Sequence, residues 1–309
     1  DLMALDAKTS VAVSASAITT LQGLASNIKA LYDDVKTNSG VTGLGDEIVS
    51  ISDATMAALD MLTLDTLTTG VINSVQVNLL TGTTQDVSSV YLANISNTLS
   101  GLGNEAVTIT DDPTVGALAL TTLDTYTDQT INAGSIARVT GNTTELRALY
   151  ENTGGFSGLG DEALTITNNP TLVALDLLTL DGLTSGVINA SQVNVLTGTT
   201  QAVTSAYLAN VSATVTGLGN EAVIITDDPT VAASALTTLD TYTDQTIYAG
   251  SIDRVTGNTT ELRALYENTG GFSGLGNEAL TITSNDVLVA LDLLTLDRLT
   301  SGVINASQV

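Results

Sequence analysis

The chain contains the sequence GLGDEALTIT at Gly158–Thr167, and close variants of this stretch occur five times. The copies begin at Gly43, Gly101, Gly158, Gly217 and Gly274, so their starting points are almost evenly spaced along the chain. A fixed spacing of this kind is the signature of a tandem repeat protein. The copies divide the chain into six segments, residues 1–42, 43–100, 101–157, 158–216, 217–273 and 274–309, of which the first and last are partial repeats.

Two kinds of repeat alternate along the chain. Residues 124–181 and 240–297 differ at only six of 58 positions, so the near-exact period is a double repeat of 116 residues. The last nine residues, 301–309, are identical to residues 185–193. Neither end has the atypical polar sequence of a capping repeat, which leads us to expect that the chain continues a longer array.

Local patterns within a repeat alternate between strand and helix. Ala106–Thr110 alternates apolar and polar residues and is rich in β-branched ones, which predicts a short strand with Val107 and Ile109 facing inward. Asp112 and Pro113 then predict an N-cap and a first helical position. After a second extended piece at 130–133 and a turn at 135–141, Asn142 and Glu145 form the pattern of a capping box.

This order predicts an α/β repeat solenoid. Short parallel strands would alternate with short helices, and each repeat of about 58 residues would form two coils. One tyrosine recurs at the same place in the second helix of the repeats, and we expect these residues to form a structural ladder in the core. They are Tyr32, Tyr91, Tyr150, Tyr207 and Tyr266.

Composition restricts the chemistry. The chain lacks cysteine and histidine, which excludes histidine-dependent nucleophilic catalysis and the common zinc sites. A net charge of −25 argues against nucleic acid as a partner, because its binding depends on basic side chains. No apolar run is long enough for membrane insertion. Each acidic cluster recurs in several repeats, whereas a catalytic site is usually a unique departure, so we predict no enzymatic activity and no required cofactor.

The GLG[DN]E stretch has two interpretations. In the first, its glycines adopt a turn with positive φ, and its acidic residues are solvated or cap the backbone. In the second, carboxylates of adjacent coils hold a calcium ion, since calcium prefers hard oxygen ligands. The calcium candidates are Asp46, Glu47, Asp161, Glu162, Asp111, Asp112, Asp227 and Asp228.

The segments GLGNEAVTIT, INAS and LTGTT resemble the tandem repeats of very large secreted cell-surface proteins of cyanobacteria and other aquatic bacteria. The resemblance covers the whole chain and implies a secreted, structural protein of a filament, sheath or surface layer, with no catalytic residue to carry over. The partners expected are further copies of the chain or the continuation of a longer chain, and glycans are a further candidate. The alternative function is an adhesin or binding stalk with calcium- or glycan-dependent contacts.

Overall fold

The computed structural model describes residues 2–37, 40–110, 112–152, 154–226, 228–268, 270–283 and 288–307. These residues form two compact units. The first comprises 1–139 and 148–159, and the second comprises 140–147 and 160–309. Among the described residues, no helix is both long enough and apolar enough to cross a membrane.

The first unit alternates short strands with short helices. Its elements are α1 (Leu2–Asp6), β1 (Val13–Ser14), β2 (Thr20–Gly23), α2 (Ala25–Thr37), β3 (Val41–Thr42), β4 (Ile48–Ile51), β5 (Thr55–Ala57), α3 (Ala58–Asp65), β6 (Ile72–Asn73), β7 (Leu79–Gly82), α4 (Thr84–Ile95), β8 (Leu99–Ser100), β9 (Ala106–Ile109), β10 (Thr114–Gly116), α5 (Ala117–Asp124) and β11 (Ile131–Asn132). The division between the units passes through β12 (Arg138–Gly141) and α6 (Thr143–Glu151), and the first unit ends with β13 (Phe156–Ser157).

The second unit continues in the same way. Its elements are β14 (Ala163–Ile166), β15 (Thr171–Val173), α7 (Ala174–Asp181), β16 (Ile188–Asn189), β17 (Val195–Gly198), α8 (Thr200–Val211), β18 (Val215–Thr216), β19 (Ala222–Ile225), β20 (Thr230–Ala232), α9 (Ala233–Asp240), β21 (Ile247–Tyr248), β22 (Arg254–Gly257), α10 (Thr259–Glu267), β23 (Phe272–Ser273), β24 (Ala279–Ile282), α11 (Ala290–Leu299) and β25 (Ile304–Asn305).

The strands form parallel sheets in which each strand pairs with the next but one in the chain, apart from β25, which pairs with β24. The first unit contains the orders β2-β4-β6-β8 and β5-β7-β9-β11-β13, and the second contains β15-β17-β19-β21-β23 and β20-β22-β24-β25. In the second of these sheets, Thr55 pairs with Leu79, and Leu79 pairs with Ala106. Thr55 and Ala106, which are two strands apart, are separated by less than one sequence repeat, so strands at different positions of the repeat share one sheet.

The core lies between the inward face of the strands and the helices. In β9, Val107 and Ile109 are buried, as the alternating pattern predicted. Leu120 and Leu123 of α5 are also fully buried. Each buried aliphatic side chain contributes about 1.5–3 kcal/mol by leaving water. The α/β alternation with parallel sheets is therefore confirmed as the basis of the fold.

Two local predictions were wrong. Thr114–Gly116 is a strand, and α5 begins only at Ala117 with Gly116 at its N-cap, so Asp112 and Pro113 do not start this helix. The predicted turn at 135–141 contains strand β12 at its end. Its counterpart β22 has one buried apolar residue, Val255, and is a strand because it lies between β20 and β24 and pairs with both.

Candidate functional site

The GLG[DN]E stretch forms a tight turn with left-handed glycines, as predicted. Gly158 has φ +79° and Gly160 has φ +128°, a region that L side chains rarely adopt. The first glycine also makes a close backbone approach, because a Cβ on Gly158 would lie 2.7 Å from the Cα of Gly134. The turn therefore requires glycine at this position both for its conformation and for space.

The glutamate of each copy folds back into its own turn. Glu105 is only 3 % exposed, and its Oε2 accepts hydrogen bonds from the backbone N–H of Gly103 at 2.8 Å and of Asn104 at 3.1 Å. The same arrangement recurs at Glu47, Glu162, Glu221 and Glu278, all of which are buried. A buried carboxylate needs such donors, because an ion without partners is costly to remove from water. The prediction that an acidic residue caps the backbone here is thus confirmed for the glutamate.

In three of the five copies a tyrosine from the preceding helix also binds the glutamate, whereas the buried hydroxyls of Tyr150 and Tyr207 form no hydrogen bond with the described residues. The hydroxyl of Tyr91 donates to Oε1 of Glu105, Tyr32 does the same to Glu47, and Tyr266 to Glu278. The carboxylate is thereby bound on one side by the turn and on the other by a helix. We name this combination of glutamate, tyrosine and glycine turn the tyrosine–glutamate clasp.

The five recurring tyrosines lie in or beside the core. Tyr32, Tyr91 and Tyr207 are 2 % exposed, whereas Tyr150 and Tyr266 are only partly buried. The ring of Tyr91 stacks on that of Tyr126 with centroids 5.5 Å apart, and Tyr207 stacks on Tyr242 at 5.6 Å. A continuous ladder of the five recurring residues stays a prediction.

Burial raises the pKa of the Tyr91 hydroxyl well above its usual value, and the hydrogen bond to Glu105 raises it further. Burial is also the main cause that raises the pKa of Tyr207, where the Glu221 carboxylate adds to it. The negative charge of a neighbouring carboxylate disfavours ionisation of a tyrosine hydroxyl, so both tyrosines stay protonated in the folded chain. Folding stability from these groups is therefore present below about pH 10, the ordinary tyrosine value, and falls as the pH rises above it.

We expect Tyr32, Tyr91 and Tyr207 to ionise at a higher pH in the folded chain than in the unfolded chain. The chain has no tryptophan, so the ultraviolet absorbance of tyrosinate reports the process directly. In the folded chain, Tyr32, Tyr91 and Tyr207 should remain protonated about one pH unit above the ordinary pKa of about 10, and all eight should ionise near that value in urea. Tyr91→Phe should remove one late-ionising group. If these three tyrosines ionised at about pH 10 in the folded chain, their hydroxyls would not be protected as described.

The calcium candidates occupy different environments. Glu47 and Glu162 are buried and accept hydrogen bonds from their own turns, whereas Asp46 and Asp161 are exposed at the same turns. Asp111 and Asp227 lie outside the described residues. Over the part of the chain that the structure describes, no three acidic side chains converge in a way that could hold a metal ion. The calcium site stays a prediction.

The remaining two candidates have a structural partner. Asp112 accepts a hydrogen bond at 2.9 Å from the backbone N–H of Thr84, the first residue of α4, and Asp228 accepts one at 2.8 Å from Thr200, the first residue of α8. Each aspartate thus binds the N-terminus of a helix that precedes it in the chain, where a negative charge is favourable. The sequence suggested a helix cap at Asp112 but placed it on the wrong helix.

Sequence reasoning also did not pair the tyrosine with the glutamate. Both recur once in each repeat, and the separation is 14 residues for Tyr91 and Glu105 and 15 for Tyr32 and Glu47. The recurrence of both residues in each repeat was the only sequence pattern that linked them. It did not show that the two side chains are in contact inside the protein. No protein-family model matches the chain, and a search of curated proteins found no significant match.

Proposed function

We propose that this chain is a segment of a secreted structural array, in which stacked repeats build a filament, sheath or surface layer. The observation that carries the proposal is the repetition of the same buried glutamate turn in all five copies of the stretch. All five glutamates of the GLG[DN]E stretch are at most 3 % exposed and accept from the same two backbone positions of their turns.

A repeated internal site suits a structural role. A clasp whose carboxylate is buried and bound by its own chain offers no oxygen to a substrate. The hydrogen bonds of the glutamate also hold the glycine turn in place. The strand that follows this turn therefore begins in the same geometry in every copy. A chain that repeats this element can extend without changing its cross-section, which is the property that a fibre or a sheet needs.

The finer architecture belongs to the same proposal. We infer that the parallel sheets belong to a continuous solenoid in which each sequence repeat supplies two coils. Register partners that lie roughly half a repeat apart, such as Thr55 with Leu79 and Leu79 with Ala106, support coils of this size. Strands about 4.8 Å apart would then give an axial rise of about 10 Å per repeat.

The decisive experiment is electron microscopy with fibre diffraction on the concentrated 309-residue chain, in the presence of calcium and of a chelator. We expect filaments or layers with an axial spacing of about 10 Å or its double. Dispersed single particles at every concentration, together with a rise in melting temperature on adding calcium or a glycan, would instead establish the adhesin or binding-stalk function. Loss of filament order with the chelator alone would support the structural role and add calcium as its cross-link.

A further inference from the structure

One row of side chains on a sheet of the second unit departs from the repeat. Residues that pair in register across a sheet lie in one row on its face. In the sheets β2-β4-β6-β8 and β20-β22-β24-β25 this row is Gln22, Ser50, Asn73 and Ser100, and Ala232, Thr256, Thr281 and Asn305. In β5-β7-β9-β11-β13 it is Ala57, Thr81, Thr108, Asn132 and Ser157. In β15-β17-β19-β21-β23 it is Val173, Thr197, Ile224, Tyr248 and Ser273, which we name the outer row.

Three residues of the outer row are exposed although they are apolar or aromatic. Val173 is 45 % exposed, Ile224 36 % and Tyr248 50 %, whereas their counterparts in the other three sheets are all small or polar. On the opposite face of the same strands, Val223 and Ile247 are fully buried. The strands that carry the exposed side chains are therefore anchored in the core.

Tyr248 gives up a contact that its counterparts make. Asn132 Oδ1 accepts a hydrogen bond at 3.1 Å from the backbone N–H of Gly134, and Asn189 Oδ1 accepts one at 2.9 Å from that of Ser191. A tyrosine side chain has no amide oxygen for this local contact, and Tyr248 remains half exposed. Residues that break a local rule and gain no burial in return are expected at functional sites.

A groove adjoins the outer row at Val173. It lies between α7 and α8 and has a volume of about 410 Å³. Its lining includes the apolar Val173, Leu178 and Ala202 and the polar Thr199, Gln201 and Ser205. Among the described residues, none of those that line the groove is charged, and the five strands of the adjoining sheet contain no Asp, Glu, Lys or Arg.

The groove is uncharged because α8 differs from other helices at one position. The third residue of α8 is Ala202, and the third residues of α4, α6 and α10 are Asp86, Glu145 and Glu261. On α7, Asp176 does not line the groove and forms an ion pair with Arg147 at 3.0 Å. The site therefore suits an uncharged ligand, and the net charge of −25 further disfavours an anionic one.

We propose that the groove and the outer row bind a neutral polysaccharide built of hexopyranose units. The faces of such a ring carry C–H groups that pack on Ile224 and Tyr248, and its rim carries hydroxyl groups that hydrogen-bond to hydroxyl and amide side chains. Gln201, Ser205 and the Tyr248 hydroxyl provide such partners. Strands are about 4.8 Å apart, so the five positions of the outer row extend over about 19 Å, which suits a chain of rings rather than one compact molecule.

The area of the exposed row favours a ligand of this size over a folded protein. A tyrosine buries about 150–250 Å² when it is fully covered, so the half-exposed Tyr248 offers roughly 100 Å². With Val173 and Ile224 the exposed surface comes to roughly 250 Å², whereas a stable protein interface needs about 800 Å² on each partner. The proposal does not depend on the structural function and adds a ligand to it.

The chain itself provides matched substitutions for the test. One variant combines Val173→Ala, Ile224→Thr and Tyr248→Asn, which gives the outer row the residues of the corresponding row in the first unit. The control is Val187→Thr, an exposed valine outside the groove and the row, whose counterpart in another repeat is Thr246. Isothermal titration calorimetry of the 309-residue chain uses four neutral hexasaccharides, namely cellohexaose, laminarihexaose, maltohexaose and mannohexaose. Hexagalacturonate and a neutral unfolded peptide serve as comparison ligands.

We expect the wild type and the Val187→Thr control to bind at least one neutral hexasaccharide, and the triple variant to bind it about tenfold more weakly. Circular dichroism must show that the triple variant keeps the wild-type fold. Equal binding by the triple variant and the wild type, or binding of none of the four hexasaccharides by the wild type, would overturn the proposal. Tighter binding of hexagalacturonate or of the peptide would also overturn it. Filaments without hexasaccharide binding would refute this proposal alone, and hexasaccharide binding without filaments would refute the structural function alone.

Discussion

Glu105→Gln is expected to lower the free energy of unfolding by about 3 kcal/mol. The carboxylate accepts from two backbone N–H groups of its turn and from the hydroxyl of Tyr91. A glutamine amide keeps one oxygen for the two backbone N–H groups, but its NH₂ then faces the Tyr91 hydroxyl, whose own proton must turn away from the site. At least one buried donor then loses its partner, and each such loss costs about 1–3 kcal/mol. The measurement is denaturant unfolding followed by circular dichroism.

The matched control changes the adjacent residue. Asn104→Asp alters charge at an exposed position where other repeats already carry Asp46 and Asp161, so we expect a change within about 0.5 kcal/mol. If the two variants unfolded at the same denaturant concentration, the clasp would not stabilise the turn. A large loss of unfolding free energy in the glutamine variant alone would identify the buried carboxylate, rather than local charge, as the stabilising group.

Leu177→Ala is expected to cost about 3 kcal/mol, because this α7 side chain is completely buried between the helix and the sheet. The substitution removes apolar contacts and leaves a cavity that the surrounding parallel strands can fill only in part. Unfolding should shift to lower denaturant concentration in the same experiment.

Leu175→Ala provides the comparison on the same helix. Leu175 is 63 % exposed, so its truncation should change stability by no more than about 0.5 kcal/mol. The pair separates buried from exposed leucine in α7, since Leu177 supports the core and Leu175 lies at the surface. A destabilisation by Leu175→Ala as large as that by Leu177→Ala would contradict the burial pattern on which the fold depends.

Several elements were predictable because their causes are local. The strand at Ala106–Ile109 followed from alternation of apolar and polar residues, and the turn at Gly158–Gly160 followed from glycine. The capping box was also correct: the Asn142 N–H donates to Glu145 Oε2 at 3.1 Å, and the Glu145 N–H donates to Asn142 Oδ1 at 2.9 Å. In each case the interacting groups lie within a few residues of one another, where sequence spacing sets their geometry.

Other elements depend on groups that are distant in sequence. The strand at Thr114–Gly116 precedes a helix and has one buried residue, Val115, so its local pattern resembles the start of that helix. Asp112 binds a helix 28 residues earlier, and Glu105 binds a tyrosine 14 residues earlier. Residue spacing along the chain does not show which of these groups will be neighbours once the parallel sheets form.

By itself the sequence determined the repeat, the alternation of strand and helix, and the residues that face the core. The reason is that the repeat period and the pattern of apolar and polar residues depend only on the order of the amino acids. Only the tertiary structure decided the register of the sheets, the partners of the buried carboxylates and which leucine of each helix stays exposed. The physical reason is that a buried charge and a parallel strand are both stabilised by partners outside their own segment. The hydrogen bonds of Glu105 and Asp112 show this, because their partners Tyr91 and Thr84 lie in a helix that precedes both of them in the chain.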